Sequence, residues 1–215
     1  MKPNKGFKEH HVAHHFDTAE QEFESAKLGM WAFLAQEILF FSALFVAFIV
    51  FRLKYPEMFI DAHHHLSWEL GALNTVFLIL SSFTMVMGVR AAQLSKRFES
   101  IKYLFATLAF ALGFMIVKAF EYSGKISHGL TPSKFFSSES LFETTPLFFG
   151  LYFAMTGLHG LHVLVGMGLI IWLIIKSYKG EFYADYYTPV EMVGLYWHLV
   201  DLVWIFLFPL LYLVG

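Results

Sequence analysis

His159 and His162 stand three residues apart in "MTGLHGLHVLVG", Met155 to Gly166, a run that is otherwise apolar. Imidazole is costly in such surroundings unless it is paired. The pattern therefore points to a metal or haem ligand set, a proton path, or hydrogen bonds that lock one helix to its neighbours. Tyr152, Met155, His159, His162 and Gly166 recur at spacings of 3, 4, 3 and 4, which places both rings on one seam of a helix. Glu191, Gly194, His198, Asp201 and Ile205 repeat the pattern further on, with Asp201 one turn from His198 and able to orient that ring or share its proton. His162 and His198 would make a bis-histidine haem pair, yet "HGLH" lacks the carboxylate that usually accompanies a helical metal motif. Spacing favours a packing seam and leaves the ligand and proton readings open.

Other ionisable and polar residues lie in equally oily settings. Glu37 sits inside "AQEILFFSALFVAF", where an intramembrane carboxylate costs about 2.5–3.5 kcal/mol and so marks a protein interface or a functional site. Its companions Met30, Leu34, Phe41, Leu44 and Phe48 form an apolar seam, which favours a neutral carboxyl bonded across helices or engaged in proton chemistry. Asn74 shares a stripe with Gly71, Ser81 and Gly88, as close helix packing in lipid requires. Glu121 lies within a turn of Lys118 and Lys125, the spacing of a surface ion-pair cluster near the membrane boundary. Tyr196, Trp197 and Trp204 are donors for interhelical bonds or interface anchors. The clusters "EHHVAHH" and His63 to His65 read as solvated histidine tracts.

The elements that must carry these residues follow from composition. The 215 residues are 57% hydrophobic and 19% aromatic, with 26 phenylalanines and a mean hydropathy of +0.58. A soluble domain of this size needs a more polar surface, so the chain reads as a polytopic membrane protein. The net charge of −2 offers no basic patch for nucleic acid. The absence of cysteine excludes disulfides, iron–sulfur clusters and thiolate-held zinc or copper. Five apolar runs, Leu28–Phe51, Leu70–Val89, Tyr103–Phe120, Pro146–Ile175 and Met192–Gly215, are each long enough or nearly so to span as helices. Their continuity favours helices over a barrel. The predicted fold is an all-α bundle of five transmembrane helices.

With the N-terminus inside, ten Lys and Arg residues flank the spans on the inner side against five on the outer, so N-inside and C-outside is expected. Residues 1–25 read as a polar inner-side segment, able to lie along the membrane surface as a helix, and residues 26–215 as the transmembrane domain. That polar start does not resemble a signal peptide, so insertion is expected through the internal helices. The stretch from Ser123 to Thr145 reads as an ordered loop or short interfacial helix.

Together "AQEILFFSALFVAF", "ALNTVFLILSS", "KAFEYS", "TGLHGLHVLVG" and "YWHLVDLVWIFLF" resemble subunit III of the haem–copper terminal oxidases, in order and from about Ala26 onward. The chain is similar to the short five-span bacterial form, without the two leading helices whose cleft holds phospholipid in longer members. The resemblance implies an accessory subunit of a proton-pumping cytochrome c oxidase, or alternatively of a quinol oxidase. It would lie in the bacterial cytoplasmic (inner) membrane and pack on subunit I beside subunit II and other subunits. It also implies haem and copper in those partners and none in this chain, bound phospholipid, and support for proton uptake and catalytic stability. Membership of a respiratory supercomplex stays open. By resemblance Glu37 matches the family's intramembrane glutamate, Glu121 and Tyr122 its "EY" pair, and Asp201 the aspartate of "WHxVD". His159, His162 and His198 then become structural hydrogen-bonders. A haem b anchor using His162 and His198, and a transporter using Glu37 and Asp201, are the competing readings. The histidines at 10, 11, 14 and 15 would lie on the inner side, placed to buffer protons near an uptake channel.

Overall fold

The computed structural model describes residues 12–14, 16–63, 66–130 and 145–213, with the backbone alone at 63. The histidines at 10, 11, 15, 64 and 65 and most of the long loop, 131–144, lie outside the described residues. Among the described residues six α-helices follow one another: α1 Ala19–Lys54, α2 Pro56–His63, α3 Trp68–Gln93, α4 Arg97–Ser127, α5 Thr145–Tyr178 and α6 Thr188–Phe208. A π-helical turn, Pro209–Leu213, continues α6. Among the described residues β structure is confined to one isolated bridge, Tyr183 to Tyr186, in the α5–α6 connection. Five helices (α1, α3, α4, α5 and α6 with its π turn) are long and apolar enough to cross a membrane, so the chain is an all-α multi-pass membrane protein.

Each helix outruns its apolar core. α1 begins where the Thr18 hydroxyl accepts the Gln21 N–H and the Gln21 side chain accepts the Asp17 N–H, satisfying donors that a helix start leaves orphaned. The stretch Ala19–Lys27 forms the first turns of the same helix as the first span. It packs beside the α5–α6 connection, where Phe23 lies 6.0 Å from Tyr187. There burial, with Glu22 and Glu181 nearby, raises the Tyr186 phenol above its ordinary pKa. Pro56 follows α1 directly and opens α2, a helix that the apolar runs did not announce. α2 buries Phe59 edge-on between Phe48 of α1 and Phe148 of α5, at 5.0 and 5.3 Å.

α3 and α4 form an antiparallel hairpin closed by a three-residue turn. In it Ser95 adopts a φ of 55°, and its hydroxyl accepts the Ala184 N–H at 2.9 Å, tying this turn to the α5–α6 connection. Along the hairpin the Ser100 hydroxyl donates to the Gly88 carbonyl at 3.0 Å, and Thr84 and Thr107 share a bond of 2.8 Å. The stripe Gly71, Asn74, Ser81 and Gly88 is buried throughout, as its small and polar residues imply.

α6 is the hub. Its membrane window is 56% buried, against 17% for α1, and it touches α1, α3 and α5. Indoles from α6 bond to α3: Trp197 Nε1 donates to Ser81 Oγ at 3.0 Å and Trp204 Nε1 to Thr75 Oγ1 at 3.1 Å. Gly166 of α5 makes room for this arrangement, since a Cβ there would stand 2.7 Å from the Trp197 ring and 3.2 Å from that of Tyr196. Gly166→Val is therefore expected to destabilise the bundle by about 1–3 kcal/mol through overpacking, read in reversible detergent unfolding. Gly168, with open space at its Cβ, is the control position and should tolerate the same change.

Candidate functional site

The two histidines of α5 part company. Three helical residues turn the chain through about 300°, so side chains at 159 and 162 diverge by about 60°. His159 points into the bundle, wholly buried, with Phe114 of α4 at 5.5 Å and Trp204 of α6 at 5.2 Å. Neither of its ring nitrogens has a hydrogen-bond partner among the described residues. His162 turns toward α1. Its Nε2 lies 3.2 Å from the Glu37 carboxylate, and its Nδ1 lies 2.7 Å from the Leu158 carbonyl. The Phe41 ring stands edge-on at 5.2 Å, and the Tyr196 hydroxyl donates to the His162 carbonyl at 2.9 Å. α1, α5 and α6 thus converge on one acid–imidazole pair. The leucine carbonyl can only accept, so Nδ1 carries the proton and Nε2 is free to accept from a neutral Glu37 or to donate as imidazolium. Glu37 and His162 form a unit that can hold one proton between them.

A second constellation occupies the opposite half of the α4–α5–α6 interior. Glu121 pairs with Lys118 at 2.9 Å and with Lys125 at 3.0 Å, as the i, i+3 and i, i+4 spacings allow. The sequence places this trio at the surface, whereas the structure buries all three side chains. Two phenols account for the difference. Tyr152 of α5 and Tyr212 of the π turn both donate to Glu121 Oε1, at 2.8 and 2.6 Å. The Lys118 ammonium in turn donates to Tyr212 at 2.9 Å and lies 4.8 Å above the Trp204 ring. The adjacent Tyr122 hydroxyl bonds to Thr156 at 2.6 Å. The sequence places Tyr152 on the histidine seam and gives Tyr212 no part, so neither is expected in this cluster. The available signal was weak: a phenol in an apolar run needs a partner for its hydroxyl.

Asn74, His198 and Asp201 form a third group along the α3–α6 seam. Asn74 is fully buried, with neither amide atom partnered among the described residues. His198 does not touch Asp201 directly; its Nδ1 lies 2.7 Å from the Ser82 hydroxyl. Trp197 and Tyr196 act as helix-to-helix donors, to Ser81 and to the backbone of α5. Among the described residues no three His, Asp or Glu side chains converge as a metal site would require.

This arrangement has relatives. The profile described as Cytochrome c oxidase subunit III matches residues 8–215. The cytochrome c oxidase subunit 3 of Thermostichus vulcanus is 32% identical over 199 residues, 92% of each chain. A probable cytochrome c oxidase subunit 3 of Mycobacterium tuberculosis is 31% identical over 87% of each. The cytochrome c oxidase subunit 3 of Pylaiella littoralis is longer: 30% identity extends over 89% of this chain but 68% of that one. Sequence and five-span architecture agree, and the chain belongs to the cytochrome c oxidase subunit III family.

Proposed function

We propose that this chain is the non-redox subunit III of a proton-pumping haem–copper oxidase in a bacterial cytoplasmic membrane. Its N-terminus lies inside and its C-terminus outside. It packs on the catalytic subunit I, alongside subunit II and bound phospholipid, keeps proton uptake fast and slows inactivation of the catalytic centre. The names of the relatives favour cytochrome c over quinol as the electron donor of the complex. The observation that carries the reading is the Glu37–His162 pair. Both ring nitrogens of His162 are engaged within the chain, which supports a structural and protonic role over haem ligation. Glu37 sits on α1, the least covered of the five spans. Leu39, Val46 and Leu53 present an outward apolar stripe on that helix for lipid or a neighbouring helix.

Purification through this chain in mild detergent should bring down haem- and copper-bearing subunits. Removing it should leave initial oxidase turnover near normal while alkaline-pH proton uptake slows and turnover-dependent inactivation accelerates. A haem spectrum or copper content that stays with the isolated chain would sink the proposal.

A further inference from the structure

The seam between α3 and α6 is polar at successive depths. At the end of the bundle that carries the α5–α6 connection, a cleft of about 300 Å3 opens between the two helices. Arg90, Gln93, Glu191 and His198 line it among apolar neighbours such as Val86 and Leu195. His198 stands at its deep end and meets the Ser82 hydroxyl at 2.7 Å. Beyond Ser82 lies Asp201, 4% exposed. Ser82 is near enough to act on this carboxyl, and neither of its oxygens has a hydrogen-bond partner among the described residues. We propose that Asp201 is a proton-binding site inside the bundle, loaded from the α3–α6 cleft through His198 and Ser82.

Two physical arguments support this. First, a carboxylate without a cation or a set of donors is unstable in an apolar interior by several kcal/mol, and the neutral acid is much less costly to bury there. The titratable groups around α6 do not supply that cation. Glu37 of α1 and His162 of α5 pair with each other, and Lys118 of α4 pairs with Glu121. On α3, Glu69 and Arg90 lie in the first and last turns. Lys125 of α4 also pairs with Glu121, while His159 and Tyr152 of α5, Glu191, Tyr196 and His198 of α6, and Tyr212 of the π turn carry no permanent positive charge. Asp201 is therefore most stable carrying a proton, and a packing role alone would be served as well by asparagine.

Second, a serine hydroxyl has one proton to give and lone pairs to accept with, so it can sit between two exchanging groups. A protonated His198 donates its Nδ1 proton to Ser82 Oγ as Ser82 passes its own proton to the Asp201 carboxylate. The neutral imidazole, now protonated only at Nε2, turns its ring to take a replacement from solvent in the cleft at the vacated Nδ1 and turns back. The cycle moves one proton and leaves Ser82 unchanged.

Proton occupancy is a property of this chain and does not depend on which subunit holds the redox centres. The test is infrared spectroscopy of the intact complex, in the carbonyl region of protonated carboxylic acids. Asp201→Asn should remove one such band while the complex still assembles. The same band should shift promptly in D2O in the unaltered protein. In Ser82→Ala and His198→Phe it should persist but exchange about a hundredfold more slowly, the scale on which a positioned proton-transfer group acts. A spectrum in which Asp201→Asn removes no band overturns the proposal, as does a band whose exchange ignores both relay substitutions. Thermal stability near that of the unaltered complex shows that each variant is folded.

Discussion

Glu121→Ala is expected to cost about 3–5 kcal/mol of bundle stability, because it leaves buried ammonium groups without their counter-charge. Lys118 and Lys125 both rely on this one carboxylate, at 2.9 and 3.0 Å, and two phenols donate to it. Tyr152 and Tyr212 cannot replace it, since a neutral hydroxyl offers only a lone pair to a cation. The measurement is reversible unfolding in mixed micelles, or the thermal midpoint of the purified complex. Adding Lys118→Met to Glu121→Ala should recover part of the loss, because one uncompensated charge leaves with its side chain. A double variant no better than the single one would mean that the loss comes from packing and not from stranded charge.

The second large effect belongs to Trp197. Its ring is fully buried between α3 and α5, with Gly166 beneath it and Ser81 accepting its indole N–H. Trp197→Ala should destabilise by about 3–5 kcal/mol through the cavity left behind. Between helices in lipid this loss is mainly one of contact, because the hydrocarbon outside is as apolar as the ring. Trp197→Phe should retain much of the contact and lose the bond. Ser81→Ala alone, which strands the buried indole donor, should cost about 1–3 kcal/mol. Unfolding free energies for the three variants, ordered in that way, separate packing from hydrogen bonding.

Lipid makes some of this legible from sequence. The five spans emerge because a membrane helix must be apolar over its whole length, a signal that survives without any knowledge of packing. The stripe Gly71, Asn74, Ser81 and Gly88 is readable for a similar reason, since close approach selects small residues at fixed spacing. α2 escapes because its eight residues, "PEMFIDAH", are too few for their apolar side to stand out as a period in the sequence. The depth of Glu121 escapes because the same i, i+3 and i, i+4 spacings serve a solvated face or a buried cluster. What separates the two is the presence of Tyr152 and Tyr212, 31 and 91 residues further along. The Glu37–His162 pair joins residues 125 apart. Each is conspicuous alone as a polar group in an oily run, but their meeting depends on how α1 and α5 are set side by side. Likewise the one-turn spacing of His198 and Asp201 suggests a direct bond, whereas the His198 ring meets Ser82 of another helix.

The order in which the Glu121 cluster forms bears on how the chain enters the bilayer. Helices leave the ribosome in sequence, so α4 reaches the translocon before α5 and the π turn can bring Tyr152 and Tyr212 against it. Lys118, Glu121 and Lys125 nevertheless arrive as neighbours on one helix, already in mutual contact along its length. Partial self-neutralisation leaves the trio with one surplus positive charge in place of three exposed ions, each of which would oppose insertion by about 2.5–3.5 kcal/mol. The later helices then close a cluster that has travelled through the insertion machinery largely assembled.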